Sequence, residues 1–416
     1  MNDQIVFITS YPPRECGIAT YCKDLIDSLQ RYAGKSFEPV ICALDPDGGG
    51  IAYGPDVRYV LRASSQEAYA DIAREINGNP AITGVFVQHE FGLFGGDYGD
   101  NLMLLLYRLE KPVVITFHSV LPSPNAALKK TVCAITNAVD AIIVMTNHSA
   151  EILVEYYDVA PRKITVIPHG IHTLPNVETK QQLRKRYGLS QDAHILTTFG
   201  LLGQGKSIET ALQALPPVIA RFPDTQYLVI GETHPEVIKR EGEAYRNTLK
   251  SIVRELKLEA HVRFIDRYMP TGELLEYLSL SDLYLFTSKD PNQAVSGTFA
   301  YALSCGCPVI STRIPHAKEV LTEDIGTLVG FEQPRQFTAA ITELLAMPLI
   351  RQRMGKLALQ LMAPSAWRHV AIAHANMLTK KGILSEGPSA HLFRRLRDGT
   401  NSLRSRVVRE RAEDTV

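Results

Sequence analysis

Two glycine-bearing turns carry the residue types that can hold a diphosphate. Ser296-Gly297-Thr298 follows an apolar strand, Leu283 to Phe286, and a polar loop, and opens a short apolar helix. The first N–H groups of a helix have no partner within it and lie at the positive end of its dipole, which suits an anion. Gly297 lets a ligand come close to the backbone. An ordinary strand–loop–helix turn would read the same way. The second turn, Gly200-Leu201-Leu202-Gly203-Gln204-Gly205-Lys206-Ser207, also lies between a strand and a helix. It satisfies the P-loop pattern G-x-x-x-x-G-K-S, which would put Lys206 on phosphate and Ser207 on magnesium.

A second group of candidates lies in the first half of the chain. Arg14 and Gly17 follow the first strand, in Tyr11-Pro12-Pro13-Arg14-Glu15-Cys16-Gly17. His89-Glu90 and His118 each end an apolar strand. A lone histidine is more often a hydrogen-bonded structural group than a catalytic one, but two at the same ends of parallel strands share a rim.

The elements that must position these residues are short, continuous apolar strands. They run Ile5–Ser10, Val40–Ala43, Val85–His89, Val113–His118, Ala141–Met145 and Ile164–Ile167. A second set follows at His194–Phe199, Tyr227–Ile230, Val262–Ile265, Leu283–Phe286, Val309–Ser311 and Thr327–Val329. Helical patterns separate many of them, including Gly17–Tyr32, Ile208–Phe222 with a break expected at Pro216-Pro217, and one long charged helix over Pro235–Leu256. Strands buried on both faces and alternating with helices predict α/β domains with parallel sheets, whose strand-to-helix loops gather on one ligand-binding rim. Two such doubly wound domains in succession predict a cleft between facing rims.

At 416 residues, with 45% hydrophobic and 21% charged residues, the chain suits two globular domains. Lys plus Arg equals Asp plus Glu at 44 each, so nothing drives the whole chain toward nucleic acid. No apolar run is long enough to cross a membrane as a helix, and the N-terminus enters a strand at once, so a cytoplasmic location is expected. The six cysteines show no zinc spacing and read as reduced thiols. Asp45-Pro46-Asp47, a possible metal-binding D-x-D, precedes Gly48-Gly49-Gly50 and reads as turn chemistry. Arg394, Arg395, Arg397, Arg404, Arg406, Arg409 and Arg411 crowd the end of the chain. They form either a solvated tail or a peripheral contact for an anionic inner membrane face or a partner.

From Thr287 to Arg313 the sequence resembles the donor-binding segment of retaining glycosyltransferases with two Rossmann-like domains, the GT-B fold of family 4. That family carries a Glu, seven residues, a second Glu, then Ala-Met-Ala-x-Gly-x-Pro-Val. Tyr301-Ala302-Leu303-Ser304-Cys305-Gly306-Cys307-Pro308-Val309 fits the second half, while the two Glu positions fall on Gln293 and Tyr301. Gly200, Leu202 and Lys206 match the family's Gly-Arg-Leu-x-x-x-Lys-Gly segment, with Leu201 in place of its Arg. Val166-Ile167-Pro168-His169-Gly170-Ile171 resembles the family's Ile-Pro-Asn-Gly-Val segment between domains.

The resemblance implies a first domain over residues 1–170, completed by a crossing helix in 364–380, a donor domain over 171–363, and a basic tail over 381–416. It implies transfer of a hexose from a nucleotide diphosphate sugar, such as GDP-mannose or UDP-glucose, to a hydroxyl of a carbohydrate or glycoconjugate. Retention of configuration and independence from metals and other cofactors are expected, with no nucleic-acid partner. Lys206 and the Ser296–Thr298 helix start would hold the diphosphate, with Arg14 standing in for the missing Arg and Gly17 close to the phosphates. His118 would lie by the sugar, Gln293 would bond its hydroxyls, and Tyr301 would lie near the ribose. Arg263 opens the segment to Arg267 that would face the base, and His89-Glu90 would serve the acceptor or sugar side. A non-catalytic nucleotide-sugar-binding scaffold and a P-loop ATPase are the alternatives.

Overall fold

A computed structural model describes residues 3–32, 37–45, 50–173 and 178–384. Asp47, in the D-x-D, and the arginines of the tail lie outside the described residues. In the first half, β1 (Asp3–Thr9), β2 (Phe37–Asp45), β3 (Val57–Arg62), β4 (Ile82–His89), β5 (Val113–Phe117), β6 (Ala141–Val144) and β7 (Ile164–Val166) form one sheet. Its order is β3-β2-β1-β4-β5-β6-β7. The second half builds another from β8 (His194–Phe199), β9 (Thr225–Ile230), β10 (Val262–Ile265), β11 (Leu283–Phe286), β12 (Val309–Thr312) and β13 (Gly326–Val329). The order there is β10-β9-β8-β11-β12-β13. Every pairing between these strands is parallel. Both sheets reverse strand order beside their first strand, the switch point where α/β ligands bind.

The apolar strands are fully covered, as expected of parallel sheets: Ile5, Val6, Phe7 and Ile8 are each 0% exposed. Sequence reading missed three elements of the first half. Edge strand β3 alternates exposed residues with less exposed ones and carries Arg58 and Arg62, so it lacks the continuous apolar run. The helices Gln66–Gly78 and Ala126–Ala138 were missed as well.

Two expectations in the second half are corrected. The helix Ile208–Arg221 runs through Pro216-Pro217 without a break. Each proline removes a ladder donor, and packing carries the helix through: Ala211, Leu212, Ala214, Leu215 and Val218 are all 0% exposed. The long charged helix is instead two, Pro235–Glu241 and Ala244–Glu255, parted at Gly242 with φ +59°.

The last described helix, Trp367–Lys380, packs on the first sheet, with Trp367, Val370 and Leu378 in one core with Phe7, Tyr21 and Leu25. The segment from β7 into the second half is pinned to it: Ile171 N–H donates to Ser365 O at 2.9 Å and Trp367 N–H to Ile171 O at 3.0 Å. Gly170 is required here, since a Cβ would lie 2.3 Å from the Trp367 ring.

The halves also meet through a helix cap. The Glu319 carboxylate accepts from Asn147 N at 2.9 Å, His148 N at 3.1 Å and Asn147 Nδ2 at 2.7 Å, capping the helix Asn147–Tyr157 from the opposite half. Glu319→Ala is expected to cost about 1 kcal/mol, the usual worth of a cap. An unchanged urea midpoint would assign the cap no net stabilisation.

Candidate active site

The rim of the second sheet starts where two glycines let two strand ends close on each other. Gly200 has φ +132° and Gly231 φ +127°, and a Cβ on Gly231 would lie 2.2 Å from Gly200 O. The chain then makes a tight turn over Gln204–Lys206. Its backbone is anchored on both sides: Thr287 Oγ1 donates to Lys206 O at 2.6 Å and Lys289 N–H to Gly205 O at 3.0 Å. This fixes the root of the Lys206 side chain. The ammonium itself has no hydrogen-bond or salt-bridge partner among the described residues, and its nearest recorded contact is the Phe286 ring, 6.0 Å from the centroid. Burial without a counter-charge lowers its pKa below the usual lysine range. A pocket of about 530 Å³ opens beside it, lined by Gly205, Lys206, His234, Arg240 and Gln293 among others.

The P-loop alternative fails here. Ser207 is 0% exposed and its hydroxyl is hydrogen-bonded to Thr210 Oγ1 at 2.9 Å, so it is not presented to a metal. It also sits at φ +48°, outside the helix it precedes.

The second turn lies close by. Ser296 caps the helix Gly297–Ser304, its Oγ accepting from Phe299 N at 3.4 Å and pairing with Thr298 Oγ1 at 3.0 Å. The backbone N–H of Ser296 is taken by His316 Nδ1 at 3.0 Å. Thr298 reaches Gly200, where a Cβ would lie 3.4 Å from Thr298 Cγ2 and 3.6 Å from Lys206 Nζ. Gly200, Lys206 and Thr298 are therefore neighbours.

Gln293 lines the same pocket and donates from Nε2 to Val295 O at 3.3 Å. Tyr301 does not face the pocket as expected. It is 8% exposed, its hydroxyl donates to Asp24 Oδ2 at 3.5 Å, and its ring lies against His169 and His172. Arg263 is also displaced from expectation. It sits within edge strand β10 and is exposed beside Tyr277, away from the strand end where Asp266 and Arg267 stand.

Across the cleft, Arg14 forms no salt bridge among the described residues, and its charge acts on His234 and Glu236 of the opposite half. Beside it, Glu15 hydrogen-bonds the Glu232 carboxyl of the other rim, and this contact pushes Glu232 up to about 7. Thr20 Oγ1 and Tyr268 OH join the two rims at 2.8 Å. Gly17 opens the first helix with nothing within 4 Å of a Cβ, so no packing contact requires a glycine there.

His118 directly follows β5, with Nε2 bonded to Gln88 Oε1 at 2.8 Å. Burial, and repulsion from His169 and His89, push it down to about 3, so it is neutral at pH 7. The bond to Gln88 assigns the proton to Nε2 and leaves Nδ1 as an acceptor. Glu90 is held by Ser119 Oγ at 2.6 Å and Phe91 N at 3.0 Å, and burial raises its pKa.

His89 corrects an expectation. It is 0% exposed, packed against Phe91, Phe94 and Phe117, with neither ring nitrogen hydrogen-bonded, so it is a core residue and offers nothing to an acceptor.

Sequence reading missed the histidine seam at the cleft floor. His169 donates from Nδ1 to Gly170 O at 2.7 Å, and its Nε2 faces Gly297, where a Cβ would lie 2.9 Å away. Gly297 is thus required by His169 as well as suited to a ligand. The His169 ring stands 5.1 Å from Tyr21 and His118 lies 5.0 Å from the same ring. His172 bonds Asp24 at 2.8 Å. The only sequence signal was His169 in place of the family's Asn.

Two protein-family models match the chain: Glycosyltransferase Family 4 over residues 16–173 and Glycosyl transferases group 1 over residues 179–360. The two models, both of glycosyltransferases, follow one another along most of the chain, and its fold is GT-B. It is 28% identical over 234 residues to a phosphatidyl-myo-inositol mannosyltransferase of Propionibacterium freudenreichii subsp. shermanii, covering 55% of this chain and 53% of that protein. It is 26% identical over 278 residues to a D-inositol 3-phosphate glycosyltransferase of Corynebacterium diphtheriae, covering 62% and 63%. The chain thus spans about half to two thirds of the curated relatives it matches. Among solved structures, Anabaena Alr3699/HepE in complex with UDP and glucose superposes with a TM-score of 0.71 at 14% identity, over 91% of this chain and 100% of that one. No described helix is long and apolar enough to cross a membrane.

Proposed function

We propose that this chain transfers a hexose from a nucleotide diphosphate sugar to a hydroxyl of a carbohydrate or glycoconjugate, retaining the anomeric configuration and using no metal. The observation that carries the reading is Lys206: an ammonium without a partner among the described residues, rooted in an anchored turn, beside a pocket and a helix start. Burying a cation without a partner is costly, and an anionic ligand repays that cost.

When the glycosidic bond to the diphosphate breaks, its electron pair goes to the leaving phosphate oxygen. Lys206 and the N–H groups at Gly297–Thr298 stabilise that growing charge from fixed positions. Arg14 adds a cation from the facing rim. Gln293 bonds sugar hydroxyls as a neutral amide, and His118 accepts a hydrogen bond from a sugar hydroxyl at Nδ1. The acceptor oxygen attacks on the face the diphosphate leaves, and the departing phosphate takes its proton.

Relatives named for phosphatidylinositol and inositol phosphate acceptors support a polyol or glycoconjugate acceptor. Binding is tested by melting the protein with UDP-glucose, GDP-mannose and ADP-glucose. A donor at 100 times its Kd is expected to add about 2.7 kcal/mol. Transfer is expected to proceed undiminished in excess EDTA. Loss in EDTA, restored by Mg²⁺ or Mn²⁺, would overturn the metal-free reading.

A further inference from the structure

We infer that His169 is a catalytic residue that takes up a proton when the donor binds and, as imidazolium, hydrogen-bonds the departing diphosphate, filling the place that Leu201 leaves uncharged. This rests on the proposed donor site and deepens it.

The geometry singles out His169 among the histidines around the cleft floor. His118 uses Nε2 on Gln88, and His316 uses Nδ1 on the Ser296 amide. His169 has its Nδ1–H fixed on Gly170 O, so the nitrogen left over is Nε2, and that nitrogen faces Gly297, the first residue of the capped helix. Nε2 has no partner among the described residues. In the neutral ring it carries a lone pair, which would repel a phosphate oxygen; protonated, it donates.

The surroundings keep the free protein's ring neutral until an anion arrives. Burial pushes His169 down to about 4, with the Gly170 bond and Asp24 acting upward and His172 downward. His118 and His316 face it as further imidazoles, Tyr21 and Tyr301 present rings whose hydroxyls stay protonated, and Trp367 closes the side. One unit of negative charge about 4 Å away, at an effective dielectric near 20, raises proton affinity roughly a thousandfold. A diphosphate brings two such charges and carries the ring from about 4 into the neutral range.

The step balances. Solvent supplies the proton on donor binding. The anomeric C–O bond breaks toward the phosphate oxygen, which accepts a hydrogen bond from Nε2–H, while the acceptor oxygen forms the new bond and its hydroxyl proton passes to the departing phosphate. Release of the nucleoside diphosphate lets His169 return its proton.

The test is calorimetric titration of the full chain at pH 7.5 with UDP-glucose and GDP-mannose, in buffers of different ionisation enthalpy. These sugars have no phosphate that titrates near neutrality, so net uptake reports the protein. Net uptake of a fraction of a proton in wild type, growing when the titration is repeated at lower pH and abolished in His169→Asn, is the expected result. His169→Gln gives the same readout should the Asn variant fail to fold, as judged by a melting curve. Donor binding without uptake, or uptake that survives in both variants, overturns the assignment and leaves the donor site standing. No binding of UDP-glucose, GDP-mannose or ADP-glucose overturns both readings.

Discussion

Lys206→Ala is expected to lower kcat by about a hundredfold to a thousandfold, the loss typical of removing one preorganised charge donor. The ammonium meets the diphosphate in the ground state and more strongly as the leaving oxygen gains charge, and only that second increment accelerates the reaction. Donor binding weakens less than turnover. The stability of the free protein should move the other way. An ammonium that is partly buried, without a partner among the described residues and lowered in pKa opposes folding, so its removal leaves the melting temperature unchanged or raises it. Lys206→Met keeps the aliphatic stem and should match Lys206→Ala in kcat, showing that charge and not packing is lost. Lys206→Arg should recover only part, because a planar fork does not reproduce a point charge. Steady-state transfer at saturating donor beside a melting curve checks all three. A folded Lys206→Ala protein with near wild-type kcat would remove Lys206 from the mechanism.

The sheets were legible because their strands are continuous apolar runs between loop signals, as in Ile5–Ile8 and Leu283–Phe286. Strand β3 was not, because Arg58 and Arg62 on an edge break the apolar run that marks a buried strand. Pro216-Pro217 misled for a physical reason: propensity is local, while the apolar face of Ile208–Arg221 is set by what packs on it. Within the site, residues on the backbone turns were legible, since glycine, serine and lysine at strand ends declare their surroundings. His89 and Tyr301 were not. Each lies in the expected element, His89 at a strand end and Tyr301 within a helix, but which way the side chain turns depends on packing partners that pattern alone does not reveal: Phe94 and Phe117 for one, Asp24 and His172 for the other. His169 was hidden for the same reason, because its partner Gly297 is far along the chain.

Mild acid is expected to unfold this protein, through three histidines that are buried and neutral. His89 and His316 are pushed down to about 3 and His374 to about 4, in each case chiefly by burial. They are at most 7% exposed, so water does little to screen them. Unfolded histidine titrates near 6.5. Between that value and the folded value the unfolded chain binds more protons, so stability is fully present above about pH 6.5 and falls as pH drops toward 3 to 4. At pH 5 each group is expected to cost about 2 kcal/mol, and the three together approach the whole stability of an ordinary domain.

Glu90 and Glu232 act in the opposite sense. Their folded carboxyls bind protons more readily than unfolded ones, which adds stability as pH falls. Glu232 contributes less than its pKa suggests because it is only partly buried and solvent screens its contact with Glu15. Urea midpoints at pH 7.5 and 5.0 measure the balance, and a clear fall is expected. His89→Met keeps a similar volume and removes two ring nitrogens that have no partner, so it should shrink the difference between the two pH values by about 2 kcal/mol. A wild-type midpoint that does not fall at pH 5.0, or a variant as acid-sensitive as wild type, would mean that these rings find water or a proton in the folded state.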